Sequence, residues 1–350
     1  MTVRPVLAML ALALLSLAGC ASRDARNGEA IDKLMQRYDG KVPGASLLVL
    51  RDGVPLVRHG YGMADLEQGV ATTPETNYRL ASVTKQFTAA SILLLSEDGR
   101  LHLDDPIRRW LPSLPPAADQ VTIRHLLTHT GGLIDYEDVM SPETTVQLRD
   151  ADVLHLLEGQ NRGYFAPGTS YRYSNSGYAL LSLIVEKASG QRFPSFLRAR
   201  IFLPLGMTHT LAFVNGGPVV EHRAYGYTEE NGRWLRTDQS MTSAVLGDGG
   251  IYSSIDDLAR WDAALYDDRL LSDGSRKLAF SPWTKTDDPT IGYGFGWRIT
   301  GETLWHSGES VGFRNVIVRY PKRHLTVILL TNRNDPEPYR TALAVAQHYL

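Results

Sequence analysis

The sequence predicts an α/β fold of the α+β kind: an antiparallel sheet built from both chain ends and flanked by helices, with a large, mostly helical domain inserted between them. Three observations carry that prediction. Two β-rich runs near the N-terminus flank a two-residue turn, four β-rich runs near the C-terminus follow one another at short turns, and between about residues 76 and 289 the start and stop signals are mostly those of helices. Short connections of this kind join antiparallel neighbours, so the two ends form one sheet and the middle is carried as an insertion.

The elements follow in order. Residues 1–19 start with a segment carrying Arg4, continue through the apolar run from Val6 to Leu15 and end in Leu17-Ala18-Gly19 before Cys20. The run is too short to span a bilayer, and charge, apolar stretch and small residues in that order are a secretory signal. Cys20 is the single cysteine of the chain, so no intramolecular disulfide can form. Leu17-Ala18-Gly19-Cys20 resembles the lipobox of bacterial lipoproteins. That resemblance implies a signal peptide at 1–19, lipidation of Cys20 and a tether at 20–27 that anchors an exported protein to a membrane. Several acyl chains on one residue anchor stably where a single chain does not. The residue after the cysteine is Ala21 and not aspartate, which by the same resemblance favours the outer membrane, facing the periplasm.

Ile31, Leu34, Met35 and Tyr38 mark one side of a short helix. Ala45 to Leu50 and Val54 to His59 flank Asp52-Gly53, a strong hairpin signal. Helix starts at Asp104-Asp105-Pro106 and at Ser254 to Asp257, with stops at Gly99, Gly131-Gly132 and Gly190, predict an all-helical insertion. A hairpin from Tyr225 to Arg236, turning at Asn231-Gly232, interrupts it and reads either as a Tyr-rich flap over a cleft or as an ordinary surface hairpin. Gly292 to Ile299, Thr303 to Trp305, Phe313 to Tyr320 and Leu325 to Thr331 predict strands, and Glu337 to Leu350 a helix covering one face of the sheet. The chain thus divides into a sheet domain of residues 28–75 and 290–350 and a helical domain of residues 76–289, together one catalytic unit.

Composition narrows the function classes. Of 350 residues, 43% are hydrophobic and 21% charged, which is ordinary for a globular protein. The 36 basic and 38 acidic residues are mixed along the chain, so there is no basic face to neutralise phosphates and no nucleic-acid partner is expected.

Three polar boxes carry the candidate chemistry. Ser82-Val83-Thr84-Lys85 opens a helix that runs through Phe87, Ala90 and Ile92 to Leu95, apolar nearly all round and therefore central. Serine and lysine three apart at a first helical turn face each other, and the helix N-terminus favours the negative charge that develops in acyl transfer. A serine hydroxyl needs a neighbour to take its proton, and a desolvated lysine can. Tyr173-Ser174-Asn175 sits on a loop before a helical run from Ala179 to Ala188. A tyrosine serves as a base only where cations stabilise its phenolate, so Tyr173 would need Lys85 nearby. His306-Ser307-Gly308 closes the strand Thr303 to Trp305, where small residues let an extended substrate lie along the strand edge.

Taken together these boxes resemble the serine β-lactamase and penicillin-binding protein superfamily, whose nucleophile signature is Ser-x-x-Lys. The Tyr-x-Asn second box, with His-x-Gly in place of Lys-Thr-Gly, is most similar to its class C β-lactamase-related branch, which includes esterases, D-aminopeptidases and D,D-peptidases. Leu126 to Leu133, Gly249-Gly250-Ile251 and Gly292-Tyr293-Gly294 add similar surroundings. The resemblance implies a β-lactamase/transpeptidase-like fold and an acyl-enzyme on Ser82. It implies that Lys85 and Tyr173 exchange the serine proton, that Asn175 holds a substrate carbonyl, and that the N–H groups of Ser82 and Glu309 form the oxyanion hole. It implies no cofactor and no metal. With neutral His306 replacing a fixed ammonium, and His306, Gly308 and Glu309 lining the substrate edge, small neutral esters or amides are expected over carboxylate-bearing substrates. Arg314, eight residues on, is the other candidate cation.

Other readings compete. Gly308-Glu309-Ser310-Val311-Gly312 matches the nucleophile elbow of α/β-hydrolases, with Asp335 and His348 in that fold's order, but an elbow joins a strand to a helix, and Phe313 to Tyr320 reads as a strand. His125 and His129 have zinc-ligand spacing without the usual neighbouring glutamate. Gly292 to Gly296 precedes no helix, which argues against a nucleotide fingerprint, and the paired acids Asp104-Asp105, Asp256-Asp257 and Asp267-Asp268 read as helix starts and loops and not as a glycosidase pair. A different class is a sensor of wall peptides or β-lactams that keeps the fold without turnover, but such a protein has no chemical need for both Lys85 and Tyr173 beside Ser82.

Overall fold

The computed structural model describes residues 27–350. The expected signal peptide, Cys20 and all but the last residue of the tether lie outside the described residues. Among those described, no helix is long and apolar enough to cross a membrane.

Eight strands form one sheet: β1 (Ala45–Arg51), β2 (Val54–Tyr61), β3 (Thr284–Lys285), β4 (Gly292–Tyr293), β5 (Arg298–Thr300), β6 (Thr303–Ser310), β7 (Phe313–Tyr320) and β8 (Leu325–Thr331), in the spatial order β3-β4-β5-β6-β7-β8-β1-β2. Every pairing is antiparallel, and β1 lies against β8 with Ala45 opposite Thr331, which joins the two chain ends. The hairpin β1-β2 turns at Asp52 and Gly53, both at positive φ (51° and 76°), as its sequence requires.

The central strands are apolar on both faces because both are covered. Leu47, Val49, Val327 and Leu329 pack with helix α1 (residues 27–35) and the C-terminal helix, while Leu48, Leu50, Ile328 and Leu330 join the core of the inserted part. Alternate residues of one strand thus serve two cores. Helix α2 (Lys85–Glu97) is buried at every residue from Lys85 to Leu95, so it forms the centre of the second core. Helix α3 (Asn175–Ser189) packs beside it and ends at Gly190 in the left-handed conformation. Helix α4 (Ile255–Ala264) is capped by Ser254 and carries Asp262, whose carboxylate meets buried Arg319 at 2.5 Å and Thr326 at 2.9 Å. Helix α5 (Tyr339–Gln347) covers the outer face of the sheet, where the sequence placed it.

Three local expectations need correction, and one open alternative is decided. The run Gly292 to Ile299 is two short strands, β4 and β5, interrupted at Gly296, where both the φ of +76° and the approach of an added Cβ to 2.8 Å from the Lys85 carbonyl oxygen require glycine. The insertion is not all helical: Tyr78–Arg79, Ile251–Ser253 and Leu211–Ala212 form a small three-stranded sheet whose strands are too short for alternation to register. The start at Asp104-Asp105-Pro106 yields one 3-10 turn, Ile107–Arg109, and no longer helix. The hairpin Tyr227–Glu230 and Arg233–Arg236 forms, but it packs on residues 65–67 through Tyr227 and Arg236, which bond Glu67 and, for Arg236, also Asp65. It is no flap over the Ser82 cleft.

Candidate active site

Ser82 lies in the 3-10 turn Ala81–Thr84 that runs straight into α2. The turn is tight: Ala81, just before the serine, has φ +49°, a conformation that costs a non-glycine residue about 1 kcal/mol. Lys85 is fully buried, and its Nζ donates to Ser82 Oγ at 3.0 Å, Asn175 Oδ1 at 2.8 Å and the Asp248 carbonyl at 3.0 Å. Three donors thus meet three acceptors, a cage that matches an ammonium group.

The second box is held by two residues outside it. Asp135, the N-cap of the 3-10 turn Tyr136–Asp138, accepts from Ser174 Oγ at 2.8 Å and from the N–H groups of Asn175 and Ser176 at 2.7 and 3.3 Å, satisfying otherwise orphaned N-terminal N–H groups of α3. His129 clamps Tyr173 from both sides in sequence, because its carbonyl accepts from Arg172 N–H at 3.0 Å and its Nδ1 from Ser174 N–H at 3.1 Å. The imidazole also stacks on the Tyr173 ring, with centroids 4.3 Å apart, and complete burial holds it well below the usual histidine range, in the neutral form. Lys85 Nζ is 4.9 Å from the Tyr173 ring centre, so the two groups the chemistry needs together are together. The Tyr173 hydroxyl is buried with no hydrogen-bond partner. Asn175 is the first residue of α3, and its Nδ2 donates to Glu137 Oε1 at 3.1 Å.

The third box is inside β6 and not at its end, because the strand continues to Ser310. Its neighbour β5 pairs only as far as Arg298 opposite Trp305, so the outer edge of residues 306–310 is open toward the nucleophile turn. Gly308 makes that approach possible: a Cβ there would stand 2.0 Å from the Leu80 carbonyl oxygen and 3.3 Å from Ser82 N. His306 does not face a substrate. Its ring is fully buried, Nδ1 lies 2.7 Å from the Ser307 carbonyl and Nε2 2.9 Å from the Tyr293 hydroxyl, so a neutral imidazole donates to the first and accepts from the second. Burial, with Arg298 and Lys85 nearby, keeps it well below the usual histidine range. Arg314 is no free cation either, since its guanidinium pairs with the Glu309 carboxylate at 2.6 Å.

These elements enclose a cleft of about 190 Å³ lined by Ser82, Asn175, Glu309 and Ser310, together with Arg79, Glu137 and Asp248. The last three were not singled out from the sequence, although Asp248 directly precedes the Gly249-Gly250 pair. Asp248 is completely buried, accepts from the Tyr136 hydroxyl at 3.1 Å, and is pushed up to about 8 by burial against the opposing pull of Lys85. Its turn is fixed from behind by Asp150, whose carboxylate accepts from Leu246 and Gly247 N–H at 3.0 and 2.9 Å. A larger cavity of about 650 Å³, against residues 145–151 and the flank of α3, contains none of the three boxes.

The competing motifs are disposed of locally. Ser310 ends a strand that turns at Val311-Gly312 into β7, so it stands on a hairpin and not on a strand-to-helix elbow. His125 Nδ1 accepts from Thr122 N–H in a capping box, and His129 Nδ1 is engaged by Ser174, so each histidine serves its own backbone. Among the described residues no group of three or more His, Cys, Asp or Glu side chains is placed to hold a metal ion.

Comparison with known proteins gives the same picture from outside. A family model described as Beta-lactamase matches residues 29–349. Penicillin-binding protein 4* of Bacillus subtilis (strain 168) is 36% identical over 327 residues, which cover 87% of this chain and 72% of that one. D-aminopeptidase of Gluconobacter oxydans (strain 621H) is 30% identical over 333 residues, covering 93% of this chain but only 62% of the relative's length. The octameric penicillin-binding protein homologue from Pyrococcus abyssi has a similar structure, with a TM-score of 0.82 at 28% identity over 92% of this chain and 76% of that chain.

Proposed function

The chain belongs to the beta-lactamase family and is a serine hydrolase, and from that premise we propose that it forms an acyl-enzyme on Ser82 and cleaves a small ester or amide. The observation that carries this reading is the contact of 3.0 Å between Ser82 Oγ and the buried Lys85 Nζ, at the start of a buried helix and on the wall of an open cleft. Ser82 Oγ attacks the substrate carbonyl while its proton passes to the Lys85–Tyr173 pair. The N–H groups of Ser82 and Glu309 take the developing oxyanion, and Asn175 holds a carbonyl of the substrate after its amide leaves Glu137. The proton then goes to the leaving alcohol or amine, and water attacking the acyl carbon by the same route restores Ser82.

Small neutral substrates are favoured because the third box brings no cation to the cleft: His306 is neutral and turned inward, Arg314 is spent on Glu309, and Arg79 on the cleft wall is buried and donates to the Ser243 carbonyl. The 190 Å³ cleft suits a short acyl group. The D-aminopeptidase and penicillin-binding relatives keep amide and peptide substrates, and with them β-lactamase or D,D-carboxypeptidase activity, as the alternatives. The test is kcat/KM measured side by side for p-nitrophenyl butyrate, a D-Ala-D-Ala peptide and nitrocefin. Turnover led by the butyrate ester supports the proposal, efficient nitrocefin turnover replaces it with a β-lactamase, and a stoichiometric burst without turnover would make the protein a sensor. The likeness of Leu17-Ala18-Gly19-Cys20 to a lipobox, with Ala21 after the cysteine, supports a further proposal: the enzyme is exported and tethered through Cys20 to the outer membrane on its periplasmic face.

A further inference from the structure

Arg298, on β5, is a cation without a counterion. Its guanidinium carbon lies 5.7 Å from the Tyr173 ring centre and 5.4 Å from that of Trp305, its Nε is buried with no partner, and among the described residues its side chain makes no hydrogen bond or ion pair. A half-buried guanidinium normally finds a carboxylate or a carbonyl. This one is held instead against the ring of the tyrosine that the proposed mechanism uses as a base.

The other groups facing Tyr173 explain what the charge does there. From α2 comes Lys85, with Nζ 4.9 Å from the ring, and from α3 Tyr178, which is neutral; from the loops come His129, stacked at 4.3 Å, and Tyr171, on which both Arg298 and Asp287 act. From the sheet come Tyr293 and His306, with centroids 6.4 and 6.2 Å away. Burial holds both histidines neutral and all three neighbouring tyrosines protonated. The positive charge facing the phenol therefore comes from two groups, Lys85 and Arg298. Lys85 has all three donors committed to Ser82, Asn175 and the Asp248 carbonyl, and the Glu137 carboxyl lies close enough to act on its charge. Among the described residues Arg298 is paired with no carboxylate.

We propose that Arg298 is the positioning residue that makes Tyr173 a usable base, by supplying across the ring the fixed positive charge that stabilises the phenolate when the phenol gives up its proton. It acts through Tyr173 and touches no substrate. The inference rests on the reading of Tyr173 as part of the proton-transferring pair.

The test is the pH profile of kcat/KM on an uncharged p-nitrophenyl ester for the wild type, Arg298→Gln, Arg298→Lys and Tyr173→Phe. A unit charge about 6 Å away in a partly solvated site shifts a proton equilibrium by about one unit. Removing a cation makes the phenol proton harder to lose, so the acidic limb of Arg298→Gln is expected to move about one unit to higher pH, with activity recovering on the alkaline side, and Arg298→Lys should restore most of the shift. A limb that does not move in Arg298→Gln overturns the inference, as does an equal loss at every pH together with a lower Tm, which would mark a purely structural arginine. An effect confined to the KM of a carboxylate-bearing ester would also overturn it and make Arg298 a substrate ligand. Wild-type turnover by Tyr173→Phe would remove the base reading itself, whereas an inactive Tyr173→Phe beside an unmoved Arg298→Gln limb would remove only the role of Arg298.

Discussion

Gly308→Ala is the most direct probe of how the two halves of the molecule make one site. The added Cβ would stand 2.0 Å from the Leu80 carbonyl oxygen and 3.2 Å from its carbon, and both partners are backbone, so no side chain can turn aside. Relief requires β6 and the turn carrying Ser82 to separate by about 1 Å, and forced overpacking of this kind costs about 1–3 kcal/mol. The same movement pulls Glu309 N–H away from Ser82 N–H. Misplacing reacting groups by about 1 Å costs about 100-fold, and losing an oxyanion donor about 100- to 1,000-fold. The expected result is a drop of at least about 100-fold in kcat/KM for a p-nitrophenyl ester, carried mainly by kcat, with a Tm lower by several degrees. Gly28→Ala, where an added Cβ meets nothing within 4 Å, is the control: it should leave kcat/KM unchanged and, because Gly28 lies in α1, should not lower Tm. If Gly308→Ala kept wild-type kcat/KM, the spacing between β6 and the serine turn would not set the oxyanion donors, and that part of the mechanism would fail.

Other outcomes follow from the same geometry. Lys85→Ala and Tyr173→Phe should each lose most of the rate on the ester and the double variant little more, because groups acting as one unit are not additive; additive losses would place them in separate steps. Asp248→Asn should change the pH dependence of stability: the folded carboxyl keeps its proton to about pH 8 while an unfolded aspartate releases it near 4, so in that window this group lowers wild-type stability as pH rises, by at most about 1.4 kcal/mol per unit. Thermal unfolding between pH 5 and 8 should therefore favour the variant increasingly with pH, and a constant difference would contradict the buried neutral acid. Cys20→Ser should release the protein from the membrane fraction, and co-fractionation of the wild type with inner-membrane markers would contradict an outer-membrane location.

What could be read in the sequence was whatever is encoded over short spans. Asp52-Gly53 and Asn231-Gly232 specified their hairpins through the positive φ that such pairs tolerate, and the i,i+3 spacing of Ser82 and Lys85 set the 3.0 Å contact because one turn allows little else. The apolar runs of β1, β7 and β8 announced strands, and the fold buries both of their faces. Tertiary structure decided everything that depends on segments meeting across the chain. The Asp248 carbonyl reaches Lys85 from 163 residues away, Asp135 and His129 hold the Tyr173 box from about 40 residues away, and Arg298 approaches Tyr173 from a strand of the opposite chain end. No local pattern marks such residues, because a lone aspartate, histidine or arginine has the same short-range preferences whether it faces water or a nucleophile. Their roles arise only when packing removes the water, and His306 is the clearest case: its place in the box and its neutrality were legible, but its inward turn, beside Tyr293 and Arg298, follows from burial.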